Sequence, residues 1–183
     1  MGKKILSFLF EIAQVLVLAF AIFFFVYLLI MQPHKIQGES MEPNFHENEY
    51  LLTDKLSYRF GKPKRGDVIV FKAPPKYEDE YIKRIMAVPG DKVEIINNQL
   101  FVNKESIEEA FLPEDSVTSP GQFLPEGKTL TVPENGYFVL GDNRNHSLDS
   151  RSFGFIGEDK ITGKAWFVYW PPQEFGVIKA SEF

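Results

Sequence analysis

From Ile12 to Met31 the chain reads "IAQVLVLAFAIFFFVYLLIM", with no charged residue. As a helix rising 1.5 Å per residue, such a run spans the roughly 30 Å of a bilayer's hydrocarbon layer. It is apolar on every face, which disfavours the core helix of a soluble domain. Lys3 and Lys4 precede it, and the positive-inside rule puts residues 1–11 in the cytoplasm as a short tail. Residues 12–31 are then a single-pass anchor in the cell membrane, and 32–183 an extracytoplasmic domain. A cleaved signal peptide is the rival. Its apolar core is shorter, about 7–15 residues, and ends in a small-x-small site. "YLLIMQPHK" offers no such pair, so the anchor is expected to be uncleaved.

Beyond residue 32 the pattern becomes short β-branched and aromatic runs broken by Gly, Pro and Asn. "DVIVFKA" (67–73), "YIKRIMAV" (81–88), "KVEII" (92–96), "LFVN" (100–103), "TLTV" (129–132), "GYFVLGD" (136–142) and "KAWFVYW" (164–170) read as strands. "NNQ" (97–99) reads as a hairpin turn. No helical period is sustained outside the anchor. The fold class is therefore mainly β, one domain behind one transmembrane helix. Residues 104–128 are acidic and rich in turn formers, and read as a long, mobile surface excursion.

Charge and composition exclude several functions. Up to residue 35 the charges are Lys3, Lys4, Glu11 and Lys35, a sum of +2, so the rest of the chain carries −7 against a net −5. An acidic domain without a basic stripe is not expected to bind nucleic acid. Cys is absent, so there are no disulfides and no thiolate ligand or nucleophile. The three histidines, at 34, 46 and 146, lack any metal-binding spacing, so no metal and no cofactor is expected.

Chemistry can sit in four stretches: "GESMEP" (38–43), "RGDVIVF" (65–71), "YIKRIMAVPGD" (81–91) and "GDNRNHSLDSRSFG" (141–154). Singly, each has a bland reading as a turn, a strand or a polar loop. Lys83 fits least well. With period two, Tyr81, Lys83 and Ile85 share one face and Ile82, Arg84 and Met86 the other, so one basic residue falls on a largely apolar face. Periodicity does not say which. A desolvated lysine loses its charge more easily and can act as a base.

Taken in order, behind an N-terminal anchor, the four stretches resemble the boxes of type I signal peptidases, membrane-bound Ser-Lys proteases that remove signal peptides from exported proteins. The resemblance runs from the anchor to about residue 170, and the single anchor and small outer domain resemble the Gram-positive form. It implies a signal-peptidase-like β domain, with Ser40 as nucleophile and Lys83 as general base. It implies that Ser147 hydrogen-bonds and orients the Lys83 amine. Asp149 and Arg151 would form a structural ion pair, Asp142 and Arg84 supporting polar positions, and Tyr81 would pack beside the lysine. Met41 would line the pocket for small substrate side chains, with Ile36, Phe45 and Ile82 as further candidates. Some family members carry a hydroxyl two positions before the nucleophile. Gly38 stands there, leaving a second oxyanion donor unassigned and room for a substrate backbone.

The implied partners are exported preproteins and the lipid bilayer. The implied reaction is cleavage after an A-x-A-like site through an acyl-enzyme. About nine residues separate Met31 from Ser40, at most roughly 30 Å when extended, so the serine stays near the membrane surface. Three rivals stand beside this: a Ser-His-Asp set using His146 with Asp142 or Asp149, a processing protease of narrower range, and an inert membrane-tethered binding module.

Overall fold

The computed structural model describes residues 2–181. Its first element is α1 (Gly2–Leu29), and Gly2–Tyr27 is long and apolar enough to cross a membrane. None of that stretch is covered by the rest of the protein. The helix ends two residues before the apolar run does. Met31 already belongs to strand β1 (Met31–Lys35), which pairs antiparallel with β2 (Tyr50–Asp54).

The strands continue as β3 (Val68–Lys72), β4 (Glu80–Ala87), β5 (Lys92–Ile96), β6 (Gln99–Val102), β7 (Glu105–Ser106), β8 (Leu130–Thr131) and β9 (Gly136–Leu140). They end with β10 (Ile156–Gly157), β11 (Ile161–Trp170) and β12 (Gly176–Val177). Two one-turn helices, α2 (Ser57–Phe60) and α3 (Ser150–Phe153), interrupt them. The result is mainly β, as the strand pattern implies. The main sheet has the order β1-β2-β11-β3-β4-β9-β10, with β12 added beside β11. The second sheet runs β7-β6-β5-β8. β5 and β6 are joined through Asn97 and Asn98, both at positive φ, the backbone a tight two-residue hairpin turn requires.

The main sheet is covered on both faces. Val68 and Val70 of β3 pack with Leu51, Ala165 and Val168, while Ile69 and Phe71 pack with Ile85, Tyr137 and Val139. A strand buried on both sides reads as a continuous apolar run, which is why "VIVF" does not alternate. Each buried Val, Leu, Ile or Phe among them contributes roughly 1.5–3 kcal/mol through burial. Around β4 the same covering leaves neither face to water. Lys83 and Arg84 are both 3% exposed, so the choice periodicity left open is resolved as both.

Two of the open strand edges face each other. β1 has no strand on its side opposite β2 among the described residues. β4 pairs with β9 only from Arg84 onward, leaving 80–83 open on that side. Four antiparallel steps separate β1 from β4 in the sheet, so the two strands point the same way. The sheet curls until they meet across a gap, where His34 Nε2 lies 2.8 Å from Glu80 Oε2.

The segment 104–128 is mostly exposed, and two of its side chains are drawn inward. Thr118 and Leu124 are buried, the latter in the core between the sheets. Phe123 and Leu124 donate their N–H groups to the Arg151 carbonyl, and Arg144 reaches back to Glu109 and Thr118. The segment is a brace for the 141–151 loop, built from side-chain contacts rather than strand periodicity.

Candidate active site

The gap between β1 and β4 is an open cleft of about 310 Å³, lined among others by His34, Ile36, Ser40, Ile82, Lys83 and Leu148. Ser40 sits in the turn that follows β1, at the end of the cleft where β4 presents Lys83. The turn is closed by Ile36 N–H to the Glu49 carbonyl and Phe45 N–H to the Met41 carbonyl. Lys83 Nζ lies 2.6 Å from Ser40 Oγ and donates to the Ile82 carbonyl at 2.8 Å. Tyr81 packs beside it, with Nζ 5.5 Å from the ring centre.

Burial pushes the Lys83 amine down to about 8, against a weaker upward pull from the Asp149 and Asp142 carboxylates. The cause is loss of hydration around a charge in an apolar setting. A substantial neutral fraction at neutral pH is what a base needs, and a hydroxyl within hydrogen-bond reach is what it would deprotonate.

The polar frame behind the pair is buried and well matched. Arg84 holds Asp142 through two bonds of 2.8 and 2.6 Å. Asp142 also accepts from Asn44 at 2.9 Å, which ties the turn after Ser40 to the 141–151 loop. Asn143 completes that tie: its backbone N–H donates to the Ser40 carbonyl at 3.1 Å and its amide to the Glu39 carbonyl. Asp149 caps α3 and holds Arg151 through two 2.8 Å bonds. Gly141 packs so tightly between Ser147 and the Ser40 carbonyl that a Cβ there would collide with both.

Other expected site residues sit differently. Ser147 Oγ is buried with no hydrogen-bond partner, so the expected bond to the Lys83 amine is not made in this structure. Met41 and Phe45 are 1% and 5% exposed and pack in the core behind the cleft, whereas Ile36 and Ile82 do line it. Apolar neighbours around Leu51 draw Met41 and Phe45 inward. Gly38 is exposed at φ +78, its N–H donates to Glu47 Oε1 at 3.3 Å, and a Cβ there would meet nothing within 4 Å. His146 is exposed and faces Glu39 at 3.6 Å rather than Ser40, so it forms no Ser-His-Asp set. Asn44, Asn143 and Gly141 escape a reading of the sequence, although the last two lie within the 141–154 stretch. Nothing in a lone Asn or Gly marks a contact made across about a hundred residues. Among the described residues no group of three or more His, Asp or Glu side chains is placed to hold a metal ion.

A β domain that sets a serine hydroxyl against a buried amine at the foot of an open cleft has the parts of a serine hydrolase. The chain belongs to the signal peptidase family, peptidase S26, whose model matches residues 9–170. It is 39% identical over 186 residues to signal peptidase IB of Staphylococcus aureus strain COL, covering 96% of this chain and 94% of that one. It is 31% identical over 173 residues to a probable signal peptidase I-2 of Synechocystis, covering 92% and 76%. It also resembles the crystal structure of a signal peptidase I from Enterococcus faecalis, with 33% identity, a TM-score of 0.47 and coverage of 56% of this chain and 96% of that chain. Membership of the family makes the chain a serine protease.

Proposed function

We propose that this protease removes N-terminal signal peptides from exported preproteins, cleaving after an A-x-A-like site with Ser40 as nucleophile and Lys83 as base. The observation that carries this is the 2.6 Å approach of Lys83 Nζ to Ser40 Oγ, with burial holding the amine at about 8. The names of the relatives support the substrate class.

The reaction is acyl transfer. Neutral Lys83 takes the Ser40 hydroxyl proton as Oγ attacks the scissile carbonyl carbon. The resulting oxyanion is met by the Ser40 backbone N–H. The ammonium then returns its proton to the departing amine, which becomes the new N-terminus of the mature protein. The signal peptide is left as an ester on Ser40. Lys83 next deprotonates a water, which attacks the ester carbonyl; the ammonium passes that proton to Ser40 Oγ as the C–O bond breaks, releasing the signal peptide with a free C-terminal carboxyl and restoring the neutral amine and the serine hydroxyl. Tyr81, the Ile82 carbonyl and the Asp142–Arg84 and Asp149–Arg151 pairs position the amine rather than touch the reacting carbonyl.

The substrate lies extended between the open edges of β1 and β4, adding a strand to both. α1 anchors the enzyme in lipid, with its N-terminus in the cytoplasm and the β domain outside. β1 leaves α1 at Met31 and leads to Ser40. A precursor held by its own apolar segment emerges from the same surface, so it enters at the His34–Glu80 end and runs parallel to β1. Ile36 and Ile82 then flank the residue before the cut. Sharing one surface raises the effective concentration of the two partners.

The test is cleavage of a purified precursor bearing an A-x-A site, read by mass spectrometry. Wild type should cut after the last Ala, and Ser40→Ala and Lys83→Ala should not. Undiminished cutting by Lys83→Ala would remove the lysine from the mechanism.

A further inference from the structure

Residues 55–65, "KLSYRFGKPKR", carry five positive charges and no negative one, within an outer domain (32–183) whose net charge is −6. This segment begins where the chain leaves α1: Asp54 pairs with Met31, and Lys55 N–H donates to the Ile30 carbonyl at 2.9 Å. The inward side of the segment is fixed. The Asp54 carboxylate accepts from the Leu56 and Ser57 N–H groups, Tyr58 OH donates to Asp67 at 3.0 Å, and Pro63 is buried. Arg65 is taken up by Asp91. The outward side is left to Arg59, Phe60, Lys62 and Lys64. Arg59, Lys62 and Lys64 are exposed and make no ion pair among the described residues, and Phe60 is 89% exposed.

A run of one sign is ordinarily a solvated face. Three features set this one apart. It is pinned beside the point where a membrane-spanning helix ends. Its sign opposes that of the domain carrying it. A bulky ring is held out at its centre, where a soluble surface gains nothing from it. Basic residues around an exposed ring suit the headgroup layer, with the ring reaching the acyl boundary and the cations meeting phosphates.

We infer that Arg59, Phe60, Lys62 and Lys64 form a docking surface for anionic phospholipid headgroups, which seats the β domain on the bilayer beside its anchor. This rests on the reading of α1 as a membrane anchor and extends it. A tether alone leaves the domain free to tilt. A second contact beside β1 fixes the height and direction of the cleft that β1 borders.

The lack of native Cys allows single-cysteine labelling of the full chain in vesicles. Phe60→Cys, Val117→Cys and Val17→Cys variants would each carry an environment-sensitive fluorophore, with quenchers in the lipid tails. Vesicles would be wholly zwitterionic or contain about a third anionic phospholipid. The label at 60 should be quenched several-fold more in anionic vesicles. The effect should fall with added salt and with Arg59→Gln, Lys62→Gln and Lys64→Gln combined, on the order of five-fold in lipid partitioning per charge removed. The label at 117 should stay unquenched, and the label at 17 should be quenched in both vesicles. Quenching at 60 that matches 117, ignores lipid charge or survives the triple substitution overturns the docking surface while the anchor stands. No quenching at 17 in either vesicle overturns the anchor, and the docking surface with it.

Discussion

Replacing Lys83 with Met should abolish cleavage and make the folded protein more stable at neutral pH. An ordinary lysine near 10.5 is neutral in about one molecule in three thousand at pH 7. Held at about 8, Lys83 is neutral in roughly one in eleven, a gain of about 300-fold in competent base. The same burial destabilises the fold. The folded state binds the proton less tightly than the unfolded one, so the penalty is fully present below pH 8 and fades between pH 8 and 10.5. Its size is roughly 3 kcal/mol. Met keeps the length and apolar stem but forfeits the bond to the Ile82 carbonyl, worth about 1 kcal/mol. Lys83→Met should therefore gain about 2 kcal/mol at pH 7, match wild type near pH 10, and fall about 1 kcal/mol below it once the penalty is gone above pH 10.5. Denaturant unfolding of both full chains in detergent micelles, at pH 7 and at pH 10 or above, measures this. In parallel, wild-type kcat/KM should rise tenfold per pH unit below a midpoint near 8 and level off above it. A Lys83→Met protein no more stable than wild type at pH 7, or a gap that does not change with pH, would refute the idea of an amine desolvated at the expense of the fold.

Gly141→Ala should cut kcat by a hundredfold or more, because its methyl displaces Ser147 and the Ser40 carbonyl together; steady-state cleavage beside a thermal melt would separate this from unfolding. Arg84→Met alone should lose about 3–5 kcal/mol by stranding the buried Asp142 carboxylate, and adding Asp142→Leu should restore most of it, as urea titrations would show. Ser147→Ala removes a buried, unpartnered hydroxyl, so stability should rise by about 1 kcal/mol in a urea titration while kcat stays near the wild-type value.

Much of the fold was legible in local pattern. "DVIVFKA", "KVEII" and "GYFVLGD" contain β3, β5 and β9, and "YIKRIMAV" holds all of β4 but Glu80, because β-branched and aromatic runs ended by turn formers carry their own signal. β1 and β2 were not. β1 starts inside the apolar run and holds Pro33, which an edge strand tolerates but a strand pattern does not advertise. The Ser40 and Lys83 boxes stood out by resemblance, and Lys83 also by its discomfort on a strand. Met41 and Phe45 show the limit. Nearness to a nucleophile in sequence says nothing about which way a side chain turns. The brace over 104–128 escaped for a related reason, since its contacts to Arg144 and Arg151 follow no period.

The order of strands in the main sheet has a consequence for timing. Ser40 follows β1 in the β1–β2 pair and Lys83 lies in the β3–β4 pair, and in the sheet of the described residues the two pairs are joined through β11, residues 161–170. Until that late segment emerges and inserts, nothing in the sheet brings the hydroxyl to the amine. Contacts of such sequence separation form slowly and late. A growing chain is thus kept from assembling the Ser40–Lys83 pair until residues 161–170 have been made.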